Sequence, residues 1–268
     1  MTIVHEPSQA TEAFTRQSTG FDAIDAANPL IARMRRIVRK SAMRHYGPSE
    51  TLLELNAGTG IDSFYFASNG LNVLATDAAP GMIIQLKTKQ ALNPQLKVEV
   101  EQCSFLDLHQ LGDRKFKHVF SNFGGLNCTA ELELVLKSMD ALLLPGGTCA
   151  LVIMPRFSPW EFAAAIKGNF KLAVRRWKKN GTPAHLEGVT FPCYYYSPSF
   201  VTKHLGKHFR VLEIRALSLV VPPPHMERFP ANWPTLLKWL HALEERICNW
   251  WPFRNWGDHF LIILQKKA

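Results

Sequence analysis

The chain has 268 residues, 47% of them hydrophobic and 20% charged, with a formal net charge of +9. Such a composition excludes a disordered chain and allows one large α/β domain with a substantial core. Five scattered cysteines without CxxC spacing argue against a disulfide framework and structural zinc, no metal site is expected, and a reducing cytoplasm fits. No apolar run approaches the ~20 residues of a membrane span, and the polar start lacks the pattern of a secretory signal.

Residues 1–18 are expected to be a mobile tail. Residues 19–50 form an N-terminal helical cap, in which Asn28 to Tyr46 reads as a basic amphipathic helix that Gly47-Pro48-Ser49 stops. Strands and helices then alternate through a core over 51–156. The predicted strands are Thr51–Leu55, Asn72–Thr76, Lys97–Glu101, Lys117–Ser121 and Thr148–Met154. The predicted helices are Ile61–Ser68, Pro80–Gln90 and Ala130–Leu143, with Pro145-Gly146-Gly147 turning the chain. This alternation implies a parallel sheet with helices on both faces. An aromatic, basic segment, 157–198, is expected as a helical cap over the carboxyl edge of the sheet. Residues 199–268 supply a helix at Pro198–Leu205, a strand at Phe209–Val221, a Trp-rich helix at Pro234–Trp250 and a last strand from His259.

Leu52-Leu53-Glu54-Leu55 is an apolar strand that carries a carboxylate, and Asn56-Ala57-Gly58-Thr59-Gly60 is the glycine-rich turn after it. The next strand ends on Asp77. A strand, glycine turn, helix and acid-capped strand make a nucleotide-cradling unit. In a dinucleotide site the pyrophosphate rests on that turn, and Glu54 would repel it. Ser63 also stands where the third glycine of GxGxxG belongs. A ligand with an ammonium group at that place is attracted instead, and S-adenosylmethionine is such a ligand. Asp77 can accept hydrogen bonds from its ribose hydroxyls.

At these residues the chain resembles the Rossmann-like (class I) S-adenosylmethionine-dependent methyltransferases. The resemblance rests on Leu-Glu-Leu-Asn-Ala-Gly-Thr-Gly (53–60), Ala-Thr-Asp (75–77), Val-Phe-Ser-Asn-Phe-Gly-Gly-Leu-Asn (119–127) and Leu-Pro-Gly-Gly-Thr (144–148). It implies a doubly wound, mostly parallel seven-stranded sheet with S-adenosylmethionine as cofactor. Glu54, Asn56, Ala57, Gly58 and Gly60 would meet the methionine end, Asp77 the ribose, and Ala78 and Met82 the adenine. Ser104 and Phe105 would flank the adenine edge, and Asn122, Phe123 and Gly124 would follow strand four. Asn56 replaces the usual first glycine and can adopt a left-handed backbone. Ser104 stands where the family carries an acid.

Methyl transfer is an in-line displacement in which the protein aligns the nucleophile and excludes water. Where a base is needed, His185 and His225 are the first candidates, each equally readable as an exposed loop histidine. Tyr194, Tyr195 and Tyr196 are candidates for an acceptor pocket wall, or for ordinary packing. No Asn-Pro-Pro-Tyr motif follows strand four, which favours a small-molecule acceptor, apolar and lipid- or polyketide-like, methylated on oxygen or nitrogen.

The basic clusters Arg33–Lys40 and Lys171–Lys179 can meet anionic surfaces or be solvated helix faces. No nucleic-acid motif accompanies them, so no specific nucleic-acid partner is expected, while the Trp-rich segment can bury against the sheet, its default, cover an apolar substrate or rest peripherally on an anionic membrane. Nothing in the sequence sets the oligomeric state. The alternatives are a non-catalytic protein of the same fold that binds RNA or membrane, and a dinucleotide oxidoreductase.

Overall fold

Helices α1 (Gln9–Gln17), α2 (Phe21–Ala27) and α3 (Pro29–Met43) precede a regular alternation. It runs β1 (Thr51–Leu55), α4 (Ile61–Ser68), β2 (Asn72–Asp77), α5 (Pro80–Leu92), β3 (Val98–Gln102), β4 (Phe116–Ser121), α6 (Leu132–Leu142) and β5 (Leu143–Ile153). Helices α7 (Pro159–Ile166) and α8 (Phe170–Val174) follow, then a hairpin of β6 (Thr182–Leu186) and β7 (Val189–Cys193). The chain ends with α9 (Pro198–Leu205), β8 (Phe209–Leu217), α10 (Phe229–Asn232), α11 (Pro234–Ile247) and β9 (His259–Lys266). This computed structural model describes residues 8–166, 168 and 170–268.

The main sheet has seven strands in the order β3-β2-β1-β4-β5-β9-β8. The first five run parallel, and β9 runs antiparallel to both β5 and β8. Period-two alternation divides the side chains between two cores. Leu53, Val119, Cys149, Leu151 and Ile262 face one, with α6 and α9 packed against it. Leu52, Phe120, Ala150, Val152 and Ile263 face the other, under α3, α4 and α5. Both faces are covered, so the central strands read as unbroken apolar runs rather than alternating ones. Each fully buried leucine contributes about 2 kcal/mol of transfer free energy. Asn28 caps α3 by accepting the amides of Leu30 and Ile31, and Pro29 starts the helix where its missing N–H costs nothing.

Three expectations change. The tail does not hold over its second half, since Gln9–Gln17 is a helix capped by the Ser8 hydroxyl, with Ala10 and Ala13 buried; residues 1–7 lie outside the described ones. The cap over 157–198 is not purely helical, because β6 and β7 form a separate hairpin against which α1 packs through Ala10, Ala13 and Phe191. Pro145-Gly146-Gly147 does not turn the chain but lies within β5, where pairing to β4 is irregular between Phe116 and His118. Among the described residues no helix is long and apolar enough to cross a membrane.

Candidate active site

The carboxyl ends of β1, β2 and β4 open into a cavity of about 530 Å³, within the ~300–1,000 Å³ range of small-molecule sites. Its floor is the turn after β1. Asn56, Gly58 and Gly60 have φ of 47°, 59° and 85°, left-handed values that let the chain reverse tightly into α4. At the end of β2, Asp77 accepts the Gly58 amide at 2.9 Å on one oxygen and the Ala79 amide at 2.8 Å on the other. Burial raises its carboxyl above the ordinary value, and these amides oppose the shift. Asp77 also lines the cavity.

Glu54 also lines the cavity, and it is 2% exposed. It accepts the Ser63 hydroxyl. Burial, then the neighbouring Asp62, push its carboxyl well above the usual range. Asp62, at the first turn of α4, pairs with Arg35 and with Arg39, whose Nε lies 2.6 Å away. Arg35 also pairs with Asp25 of α2, and its guanidinium lies 4.5 Å from the Phe123 ring centroid. Burial works against the Arg35 charge, but Asp62 and Asp25 hold it on. Glu54 and Arg35 thus both line the cavity. A carboxyl and a guanidinium in one lining suit the zwitterionic end of an amino acid.

Asn56 ties the two loops together. Its Nδ2 donates to the Asn122 carbonyl at 3.1 Å, and its Oδ1 accepts the Ser121 hydroxyl at 2.6 Å. The side chain fits because residue 125 is glycine, where an added Cβ would fall 2.4 Å from Asn56 Cγ. Asn122 in turn donates to Asp62 at 2.9 Å.

Helices α1 and α2 roof the cavity with Phe14, Phe21 and Ile24, facing Met82, Phe105 and Phe123. Asp22 latches the roof by accepting the Thr59 hydroxyl and pairing with Lys89 of α5.

Of the residues expected at the cofactor, the structure brings Glu54, Asn56, Ala57, Gly58, Asp77, Ala78, Met82, Ser104, Phe105, Asn122 and Phe123 to this one cavity. Gly60 and Gly124 do not line it; Gly60 starts α4, and Gly125 takes the place expected of Gly124. Asp62, Arg35 and the roof were not foreseen. Arg35 stands in a run of cations that reads as a solvated face, and only the fold turns it inward.

The expected catalytic and acceptor residues lie apart from this cavity. His185 is exposed on β6, 2.7 Å from the Thr190 hydroxyl, and His225 is exposed after the proline run; neither lines the cavity. The three tyrosines turn away from it. Tyr194 packs against a core cluster, the Tyr195 ring lies 4.9 Å from the Arg176 guanidinium, and the Tyr196 hydroxyl donates to the Thr129 carbonyl. His259, at the start of β9, abuts the wall instead. A side chain added at Gly124 would lie 3.3 Å from its Nε2, and its Nδ1 is 3.0 Å from Asp258. Despite burial, His259 and Arg176 hold the Asp258 carboxyl well below its ordinary range.

The sequence model of a methyltransferase domain matches residues 52–147. An uncharacterized methyltransferase of Synechocystis is 30% identical over 121 residues, which is 43% of this chain and 52% of that protein. A malonyl-[acyl-carrier protein] O-methyltransferase of Serratia marcescens is 29% identical over 135 residues, 50% of this chain and 48% of that one. The chain thus spans about half the length of the curated relatives it matches. In fold it is similar to the Burkholderia thailandensis 1,6-didemethyltoxoflavin-N1-methyltransferase, solved with S-adenosylhomocysteine, at a TM-score of 0.61 and 15% identity over 100% of this chain and 93% of that one. Residues 52–147 thus match a methyltransferase domain, and the fold around them is similar to that of S-adenosylmethionine-dependent methyltransferases.

Proposed function

We propose that the protein transfers a methyl group from S-adenosylmethionine to a small, apolar acceptor bound beneath the α1–α2 roof. The observation that carries this reading is one roofed cavity of about 530 Å³, lined by Glu54, Arg35 and Asp77 and covered by aromatic rings. When bound, the cofactor supplies a methyl carbon already activated by a sulfonium. Glu54 and Arg35 would hold the ammonium and carboxylate of its amino-acid end. Asp77, already fixed by two amides, would accept the ribose hydroxyls without reorganising. Asn56 would keep the β1 and β4 loops at a set separation, so that donor and acceptor meet in line. Phe14, Phe21 and Phe123 would exclude water and favour a flat or apolar acceptor.

Two relatives named for small or carrier-bound acceptors, the malonyl-[acyl-carrier protein] and didemethyltoxoflavin methyltransferases, support a small-molecule class. Oxygen and nitrogen acceptors both remain within the chemistry of such a site. None of His185, His225 and His259 lines the cavity. His259 lies behind its wall, with Nε2 beside the Gly124 backbone and the Asp258 carboxylate 3.0 Å from Nδ1.

A transfer assay with methyl-tritiated S-adenosylmethionine on fractionated cell extract tests the reading. Label is expected in the small-molecule or lipid fraction, and Asp77→Ala should abolish it. Label confined to RNA or protein would refute the acceptor class, and failure of the folded protein to bind S-adenosylmethionine in a calorimeter would refute the donor.

A further inference from the structure

Away from the cavity the chain leaves two aromatic faces uncovered. On α11, Leu236, Trp239 and Leu243 recur at i, i+3 and i+7, which sets them in one stripe. That stripe faces outward, with Trp239 73% exposed, and Trp251 just beyond the helix is 74% exposed. Glu244 is the buried residue of this helix, pinned by the amides of Leu219, Val220 and Val221. On α8 and the turn after it, Phe170, Val174 and Trp177 repeat at i, i+4 and i+7, and Phe170 is 72% exposed. Ring contacts link segments that neighbour the two helices in sequence: Phe253 to Trp256 at 5.5 Å, Trp256 to Phe157 at 5.1 Å, and Phe157 to Phe162 at 5.9 Å.

Both faces carry exposed cations. Lys171, Lys178, Lys179, Lys238 and Arg246 are exposed and form no ion pair among the described residues. No Asp or Glu occurs between Phe170 and Gly181, nor between Arg246 and Gly257. Arg176 anchors this region to the carboxyl edge of the sheet, donating to the carbonyls of Pro155 at 3.2 Å and Asp258 at 3.0 Å.

We propose that the α8 and α11 faces, with Trp250 and Trp251, form a docking surface for an anionic lipid bilayer. Three features select this occupant. A second copy of the chain would bring like charge against like charge, and the cores of protein interfaces are depleted of lysine. Single-stranded RNA stacks on rings within a basic groove, whereas these are helix faces whose aliphatic members cannot stack bases. Tryptophan and leucine alternating with lysine and arginine is the composition of a helix lying in the headgroup region, with aromatic rings at the boundary and cations on acidic headgroups. The surface stands independently of the acceptor, so its test reads binding rather than methyl transfer.

The full-length protein is sedimented with phosphatidylcholine vesicles that contain or lack phosphatidylglycerol. Binding is expected only where phosphatidylglycerol is present, and it should fall as salt is raised. Two double variants, Trp239→Ser with Trp251→Ser and Lys178→Glu with Lys179→Glu, should each weaken it about tenfold or more. Both should bind S-adenosylmethionine as the unchanged protein does, which shows that they are folded. The proposal is overturned by absence of sedimentation, by equal binding to neutral vesicles, or by tryptophan variants that bind as before. It is equally overturned by tighter binding to oligouridylate than to vesicles, or by a dimer in light scattering that the tryptophan variants dissolve.

Discussion

The floor of the cavity and the face of α11 are built on opposite terms. Around Glu54, Asp62 and Asn56, polar side chains bond one another in a web that spans β1, β4, α3 and α4. On the outer face of α11 Leu236, Trp239 and Leu243 are exposed, and the helix is held by Ile247, one buried glutamate and the ion pairs of Arg33 and Arg215 with Glu244 and Glu245. A web of fixed dipoles suits a ligand that must be oriented to within a fraction of an ångström, because its reorganisation cost is met during folding. An uncovered apolar stripe suits a partner without fixed shape. Rigidity and adhesion are thus assigned to different parts of one chain.

Five substitutions break or sharpen that contrast. The largest effect is expected at Asp77→Ala, which removes the ribose acceptor and strands two buried amides. S-adenosylmethionine affinity by calorimetry should fall about a hundredfold or more, from the loss of two charged hydrogen bonds of ~1.5–3 kcal/mol each. A loss under tenfold would mean that this cavity is not the cofactor site.

Glu54→Gln comes next, with about a tenfold loss, and it carries a pH signature. In the free protein burial raises the Glu54 carboxyl, so a neutral Glu54 is favoured on folding. The stability it contributes is fully present below the ordinary glutamate value of about 4.3 and is lost as pH rises through the raised one. A bound ammonium reverses the preference. Cofactor binding should therefore release protons, and affinity should climb with pH through the raised value. Calorimetry in buffers of different ionisation enthalpy reads this directly, and Glu54→Gln should flatten it.

Asn56→Gly keeps the left-handed backbone while removing both loop ties. It should cost about 1–2 kcal/mol of stability by denaturant titration, with a smaller effect on affinity. The smallest effects are expected at His185→Ala and His225→Ala. Both lie outside the cavity, and methyl transfer should stay within about twofold of the unchanged enzyme.

The first half of the fold was legible because its signals are local. Glycines after an apolar strand, and an acid nineteen residues after the loop glycine at 58, need only backbone geometry to be read. Ser8 followed by Ala10, Ala13, Phe14 and Gln17 was also a readable helix start, obscured by the general expectation that chain ends are loose. The β6–β7 hairpin was not legible. Its turn is Glu187-Gly188, both at positive φ, where Asn-Gly or Asp-Gly would have announced it, and Pro183 and Pro192 stand in its strands. The tyrosines and histidines failed for a different reason. Residue type suggested chemistry, but which way each ring points is decided by contacts distant in sequence, such as Tyr196 with Thr129. The same holds for Arg35, which reads as surface charge and ends buried against Asp62.

One position in α5 has a consequence for the roof. Gly81 sits in the first turn of that helix, where alanine would favour the helix by about 1 kcal/mol. A Cβ there would fall 2.5 Å from the Thr15 carbonyl oxygen and 2.6 Å from the Ser18 hydroxyl, so α1 rests directly on the bare backbone. Gly81 does not border the cavity. A single methyl group at residue 81 is therefore a one-carbon wedge, able to prise the first helix from the sheet while every residue facing the ligand stays as it was.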